Sequence, residues 1–439
     1  MPLTIRSSLT CFVIVGSLAL AACGDGKDEA SIQAETQSIE VAEPMEDQHH
    51  PAIEARSAEA ITEDVHSRLL TIDTHVDIPD DFATESVDPG GNDKFQVDLT
   101  KMEEGNLSAV FFIVYVGQTE RTEANYAEAI SKARNKFDAI HRMTEELYPD
   151  RIGLAKSADD IVRIRGEGKL VALIGVENGF AFGSDLSTVE EYYDRGMRYA
   201  GFAHMGHSNF ADSSLAREDL GDAPEEHGGL SDLGKGLLKE LNRLGVMADV
   251  SHASKAATLD IARLSTAPVI ASHSGARAVY DHFRNLTDEE MLAIKKTGGV
   301  VQIVGFDTYL ASPPEEKIAA KKALAEKYNY SRATVASLPP ETKTTYRAAV
   351  KELDNQWPRA SVSVLADHID YAVKLIGIDH VGISSDFDGG GGLTGWMDAS
   401  QTPNVTQELI LRGYSVGDIK KIWGENLLRV MRDVEAKAG

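Results

Sequence analysis

The sequence predicts an α/β fold in which eight short parallel strands close into a (β/α)8 barrel, with a helical insertion before the last strand. Three observations predict it. Strand-like apolar runs alternate with helical stretches from about residue 69 to residue 385. The runs are continuously apolar, as in strands covered on both faces. No glycine-rich phosphate turn follows the first run, which argues against an open doubly wound sheet. Residues 61–439 give about the length that one large barrel needs.

The first run, from Leu69, passes into Thr71-Ile72-Asp73-Thr74-His75-Val76-Asp77 and is closed by Pro79. Side chains alternate along a strand, so His75 and Asp77 share a face. The second run is Leu107 to Val116, followed by a long helix over about Ala124 to Leu147. The third is Leu170 to Val176, ending at Glu177; the fourth is Tyr199 to Ala203, ending at His204. The fifth, Val246 to Val250, ends at Ser251-His252, and the sixth, Pro268 to Ala271, at Ser272-His273-Ser274. The seventh is Gly298 to Val304 and the eighth His380 to Ser384, ending at Ser385-Asp386. Helices are expected over Asp232 to Leu244, Ala256 to Leu264, Asp288 to Lys296 and Ser361 to Ile376. Thr308 to Trp357, rich in Ala, Lys and Glu, is long for a strand-to-helix connection and reads as a helical excursion, a lid or a dimer contact. Gly389 to Gly392 lacks the Lys-Ser/Thr ending of a phosphate loop and reads as a flexible loop.

The N-terminus reads as a sorting device. Arg6 supplies a positive start, Leu9 to Leu20 an apolar core too short to span a bilayer stably, and Leu20-Ala21-Ala22-Cys23 a small-residue cleavage site. This arrangement resembles the bacterial lipoprotein signal. It implies a signal peptide over residues 1–22, lipidation at Cys23, and a place on the periplasmic side of the envelope. Gly24 stands where an inner-membrane retention aspartate is expected, which favours the outer membrane. Residues 23–60 are polar and acidic and read as a disordered tether. The only other cysteine is Cys11, within the signal, so a mature chain forms no internal disulfide and any metal must be held by histidine and carboxylate. The net charge of -25 argues against a nucleic-acid partner, and the membrane is reached only through the lipid.

Six of the eight runs end in histidine, aspartate or glutamate, at the rim where barrel active sites are built. One such residue is unremarkable. Six converging on one mouth are costly to desolvate unless a cation binds there. His75, Asp77, Glu177, His252 and His273 offer three imidazoles and two carboxylates, too many for one open tetrahedral zinc. The set suits two cations sharing a carboxylate, and Glu177 is the natural bridge, since it can give one oxygen to each.

The same residues carry a resemblance to the membrane (renal) dipeptidase family. It rests on Asp73-x-His75-x-Asp77, Gly175-Val-Glu-Asn-Gly179, Gly196-Met-Arg-Tyr199 with His204, the run Leu241 to His252, Pro268 to Ser274, Arg284-Asn-Leu-Thr-Asp288, Asp379 to Gly389, and Gly424-Glu-Asn-Leu-Leu-Arg-Val430. The resemblance implies a TIM barrel of the amidohydrolase type carrying two Zn2+ per chain. His75 and Asp77 would hold one zinc, His252 and His273 the other, with Glu177 between them. It implies that a metal-bridging hydroxide attacks a dipeptide, a C-terminal D-residue being tolerated. His204 would polarise the carbonyl, Arg284 would clamp the substrate carboxylate, and Asp386 would move the proton. It also implies a homodimer.

Around His204 the chain departs from the family pattern. His207 is an extra imidazole that reads as a substrate contact or a surface residue. His227, His282, His368 and His380 read as structural, and Asp249 as the group that orients His252. Two other functions stay open on sequence: an amidohydrolase acting on N-acyl amino acids or lactones with the same metals, and a catalytically silent envelope lipoprotein, which would be expected to have lost ligands.

Overall fold

A computed structural model describes residues 57–91, 94–331 and 334–439. The signal segment, Cys23 and the tether up to residue 56 lie outside the described residues. The first helix, Ala58–His66, takes in the last three residues of the expected tether, and the Ser57 side chain caps it by accepting the Ala60 N–H.

Among the described residues nine strands form one parallel sheet: β1 Ile72–Asp77, β2 Ala109–Tyr115, β3 Ile152–Leu154, β4 Leu170–Glu177, β5 Met197–Gly201, β6 Met247–Asp249, β7 Val269–Ser274, β8 Val300–Val304 and β9 Val381–Ser384. Eight of them follow the order β1-β2-β4-β5-β6-β7-β8-β9. The ring closes where Val76 bridges Phe387, with Asp77 N–H donating to Phe387 O at 3.0 Å and Asp386 N–H to His75 O at 3.1 Å. The barrel is therefore as expected, and β3 is an addition to it. Only three residues long, it pairs outside β4 and is too short for periodicity to show.

Burial follows the pleat. Ala109, Phe111 and Ile113 of β2 join Val171, Leu173, Tyr199, Met247, Ile270 and Val300 in one buried cluster inside the barrel. Val110, Phe112 and Val114, one residue out of phase, pack outward with the helix layer. Tyr115 and Glu177 continue the inward phase and so reach the mouth. The helices are built for that outer layer. Asp232–Leu244 is capped by Ser231, buries Leu237, Leu238, Leu241 and Leu244, and stops at Gly245 with φ +73°. Each such leucine contributes roughly 1.5–3 kcal/mol of burial. Thr287 and Glu290 close a capping box on Asp288–Lys296. The long helix after β2 ends at His141 rather than Leu147, passing into a π-turn over Arg142–Leu147. There the Thr144 hydroxyl bonds back to Ile140 O and His141 O and competes with the helical ladder.

The insertion is helical, with helices Asp307–Leu310, Glu315–Lys327 and Pro340–Asp354 ahead of Val362–Ile376. It is tied at its root by Lys317, whose Nζ lies 3.3 Å from Asp354 and 3.8 Å from Asp307. Among the described residues no helix is long and apolar enough to cross a membrane.

Candidate active site

Two register shifts set the site. One interrupts β1 between Asp73 and Val76, the other β7 between Ala271 and Ser274. Each lies where a histidine must be turned into the mouth, a common use of such irregularities. The His75 and His273 rings come to 3.9 Å between centroids. His252 follows β6 in a left-handed conformation, φ +68°, and its Nε2 lies 3.0 Å from that of His273. Glu177, at the end of β4, stands in the middle. Its Oε1 is 3.1 Å from His252 Nε2 and 3.3 Å from His273 Nε2, while its Oε2 is 3.7 Å from His75 Nε2. Asp77 Oδ2 is 3.8 Å from the same His75 nitrogen. His204 approaches Glu177 Oε1 at 3.9 Å, and Asp386 joins His75 and Asp77 on the far side. Every one of these strand-end residues singled out in the sequence thus converges on one mouth.

The hydrogen bonds behind the rings set their tautomers. Tyr199 donates its hydroxyl to Thr74 O, so at 2.9 Å it can only accept from His75 Nδ1. Ser272 donates to Asp249 Oδ2 at 2.7 Å, so it accepts from His273 Nδ1 at 2.8 Å. In the neutral rings both Nε2 atoms carry lone pairs, and both face the Glu177 carboxylate. Lone pairs against a carboxylate repel unless a cation stands between them. His252 Nδ1, buried without a protein partner, adds a ring held only from the site side. The donor set therefore fits metal, and among the described residues three groups of three candidate ligands, all built from these residues, could hold an ion.

Charge agrees. Burial alone would raise Glu177, but the imidazoles around it hold its carboxyl well below the usual range. Burial likewise keeps His252 and His273 neutral. At His75 burial is overcome by Glu177, Asp77 and Asp386, which push it up to about 10. In metal-free protein a proton thus takes the cation's place at His75. Its unfolded value is ~6.5, so the stabilisation is complete below that pH and is lost as pH climbs towards the folded value. Metal-free protein is expected to melt at a lower temperature at about pH 9 than at about pH 7, with zinc raising Tm more at the higher pH. Thermal melts with chelator and with zinc at both values check this; equal zinc-induced rises would count against it.

The mouth opens into a cleft of about 440 Å³, large enough for a dipeptide, lined on one side by Phe306 and Tyr309 and on the other by Ile78, Pro79, Lys94, Phe95 and Lys136. Arg284 is buried beside it, 5.3 Å over the Tyr309 ring, with Nη2 donating to His273 O at 3.2 Å. Its Nε has no partner, and among the described residues no carboxylate lies within ion-pair distance. A buried, unpaired guanidinium suits an anionic ligand group.

Three sequence readings are corrected. His207 is neither on the surface nor in the cleft: it is 1% exposed, accepting from Ser213 N–H at 2.9 Å and bonding Ala223 O through Nε2. Asp249 acts on His273 through Ser272, not on His252, because its carboxylate takes the Ser251 and Ser272 N–H groups as well as the Ser272 hydroxyl. Gly389 to Gly392 is a packed turn, not a flexible loop. A Cβ on Gly389 would meet Asp77 Oδ2 at 2.1 Å and Asp386 Oδ1 at 2.4 Å, so glycine is what lets the two carboxylates lie together. His227, His368 and His380 are structural as expected, each bonded to a backbone carbonyl.

Other contributors carried little sequence signal. Asp388 accepts the Gln96 and Val97 N–H groups and so fastens the wall that carries Lys94 and Phe95. Tyr199 lies within the quoted Gly-Met-Arg-Tyr run, but its role needs a partner 124 residues away. Lys136 is one polar position in a long helix.

Comparison with known proteins agrees with this site. The family model described as membrane dipeptidase (peptidase family M19) matches residues 59–439. Dipeptidase aclJ of Aspergillus oryzae is 33% identical over 347 residues, 77% of this chain and 70% of its own. Dipeptidase tcpJ of Claviceps purpurea is 32% identical over 344 residues, 77% of this chain and 69% of its own. The crystal structure of the probable dipeptidase PvdM from Pseudomonas aeruginosa superposes with a TM-score of 0.80 at 36% identity, covering 87% of this chain and 99% of that one. With a barrel whose mouth gathers histidines and carboxylates around one central glutamate, this chain belongs to the membrane dipeptidase family.

Proposed function

We propose that the protein is a zinc dipeptidase with two Zn2+ per chain, His75 and Asp77 holding one, His252 and His273 the other, and Glu177 shared. The observation that carries this is the split of the Glu177 carboxylate, one oxygen towards His252 and His273 and the other towards His75. Bound there, the metals would supply Lewis acidity and a water acidified to near neutrality. The protein supplies the rest. Arg284 receives the substrate's C-terminal carboxylate. Burial lowers His204 to about 4, so it is neutral. Its Nδ1 lies 3.4 Å from the Tyr115 hydroxyl; with that hydroxyl donating, the ring keeps an Nε2–H to polarise the scissile carbonyl and hold the oxyanion. Asp386, at the mouth with Asp77, takes the proton of the attacking water and passes it to the leaving amine.

The proposal includes tolerance of a D-residue at the C-terminal position and an envelope location through a lipid on Cys23, supported by the Leu20-Ala21-Ala22-Cys23 run. The test is hydrolysis by zinc-loaded protein of dipeptides in all four stereochemical forms, beside N-acyl amino acids and lactones. Dipeptides are expected to be cleaved at least about tenfold faster in kcat/KM, since a site built for a polar group discriminates by that much or more. Preference for the N-acyl compounds would move the chain to the second reading. Hydrolysis of nothing, with fewer than two zinc ions bound, would leave the silent lipoprotein.

A further inference from the structure

Lys136 is unexplained by the chemistry above. It rises from the helix Glu123–His141, and its side chain is 6% exposed. Its Nζ donates to Ile78 O at 2.6 Å. The one carboxylate within 4 Å among the described residues is Asp80, at 3.8 Å on a side chain that is 76% exposed. Such a pair is long, screened and weak. A buried ammonium is costly without a close anion, so Lys136 is under-compensated. It is also not sealed away. It lines the cleft beside Ile78, Pro79, Lys94 and Phe95, with its Nζ 6.0 Å from the Tyr115 ring centroid.

Its position relative to Arg284 gives this meaning. Arg284 lies on the β7–β8 side, bonded to His273 O and set over Tyr309. Lys136 lies across the mouth, beside the chain leaving β1 and β2. A dipeptide with its C-terminal carboxylate on Arg284 and its peptide bond at Glu177 and His204 must direct its N-terminal residue towards Lys136. That wall offers apolar surface from Ile78, Pro79 and Phe95, then cations. Among the described residues the only acidic lining residue beyond the centre is Asp388, whose oxygens accept the Gln96 and Val97 N–H groups.

We infer that the cleft selects dipeptides with an acidic side chain on the N-terminal residue, Lys136 receiving the side-chain carboxylate and the apolar wall its methylenes. This rests on the dipeptidase reading and deepens it. A charge-assisted hydrogen bond of this kind is worth roughly ten- to a hundredfold in affinity.

The test compares kcat/KM for Glu–Ala and for the isosteric Gln–Ala, using the zinc-loaded full chain. The wild-type ratio is expected to be at least about tenfold in favour of Glu–Ala. Lys136→Gln keeps a donor for Ile78 O and loses the charge, so its ratio should fall to about one, while Lys136→Arg should retain most of the preference. A wild-type ratio of one or less, or a ratio unchanged in Lys136→Gln, overturns the inference while leaving the dipeptidase intact. Hydrolysis of neither peptide, with N-acyl amino acids cleaved instead, overturns the dipeptidase reading and the inference with it.

Discussion

Glu177→Gln is expected to lower kcat/KM by at least about a thousandfold, ~4 kcal/mol of transition-state stabilisation, and to reduce bound zinc below two per chain. The size follows from what the carboxylate does at once. It faces His252 and His273 through Oε1 and His75 through Oε2, so both halves of the ligand set meet on one residue. The amide has the same shape and none of the charge. It offers one oxygen to one side and an NH2 to the other, and that NH2 cannot ligate. The second half of the site is left with two cation-seeking groups and an opposed donor. Folding should survive, because among the described residues the Glu177 side chain makes no backbone hydrogen bond, and the β2–β4 pairing that carries it runs unbroken to Tyr115 and Glu177. The measurements are elemental analysis of zinc after dialysis and steady-state kinetics on a cleaved dipeptide. Two zinc ions with kcat/KM within tenfold of wild type would show that no carboxylate is shared.

What could be read from the sequence divides along physical lines. The barrel was legible because its strands are covered on both faces, and continuous apolar runs survive without context. The converging set was legible because a barrel puts its strand ends in one place, so position along the chain predicts position at the mouth. His75, Asp77, Glu177, His204, His252, His273 and Asp386 all arrive there for that reason. Arg284 was reached only by resemblance: nothing local marks a loop arginine as unpaired. What stayed hidden depends on long-range pairing. Tyr199 and Ser272 set two tautomers by bonds that no spacing reveals. For Asp249 sequence neighbourhood points to His252, whereas the strand pairing of β6 with β7 delivers its carboxylate to Ser272. For His207 the sequence shows only a polar residue beside the rim, and the loop bonds to Ser213 and Ala223 that bury it have no local signal.

The same geometry sets a different expectation for Asp386. Asp386→Asn should lower kcat by about 10²–10⁴-fold, with KM and zinc content little changed, because it removes proton transfer and leaves the ligand set in place. The side chain is isosteric, and the backbone there is already unusual: φ is +57°, a conformation asparagine tolerates as well as aspartate. In the metal-free protein burial raises the Asp386 carboxyl well above its ordinary value, opposed by His75 and Arg284 and helped by Asp77 and Glu177; bound cations would favour the ionised form and bring it back down. Once it has taken the water's proton, the carboxyl gives it up to a stronger base, the leaving amine. As the base in the first step it must be ionised, so kcat should rise with pH along an acid limb set by this carboxyl. The amide cannot titrate, and the limb should vanish in Asp386→Asn while the residual rate stays flat. Kinetics across about pH 5 to 8 on one dipeptide, beside zinc analysis, separate the outcomes. An acid limb that persists in the variant would assign it to metal release or to another group. A loss of zinc with the loss of rate would make Asp386 a ligand, as its place beside His75 and Asp77 allows. A flat, slow, fully metallated enzyme is the result that identifies Asp386 as the group that moves the proton.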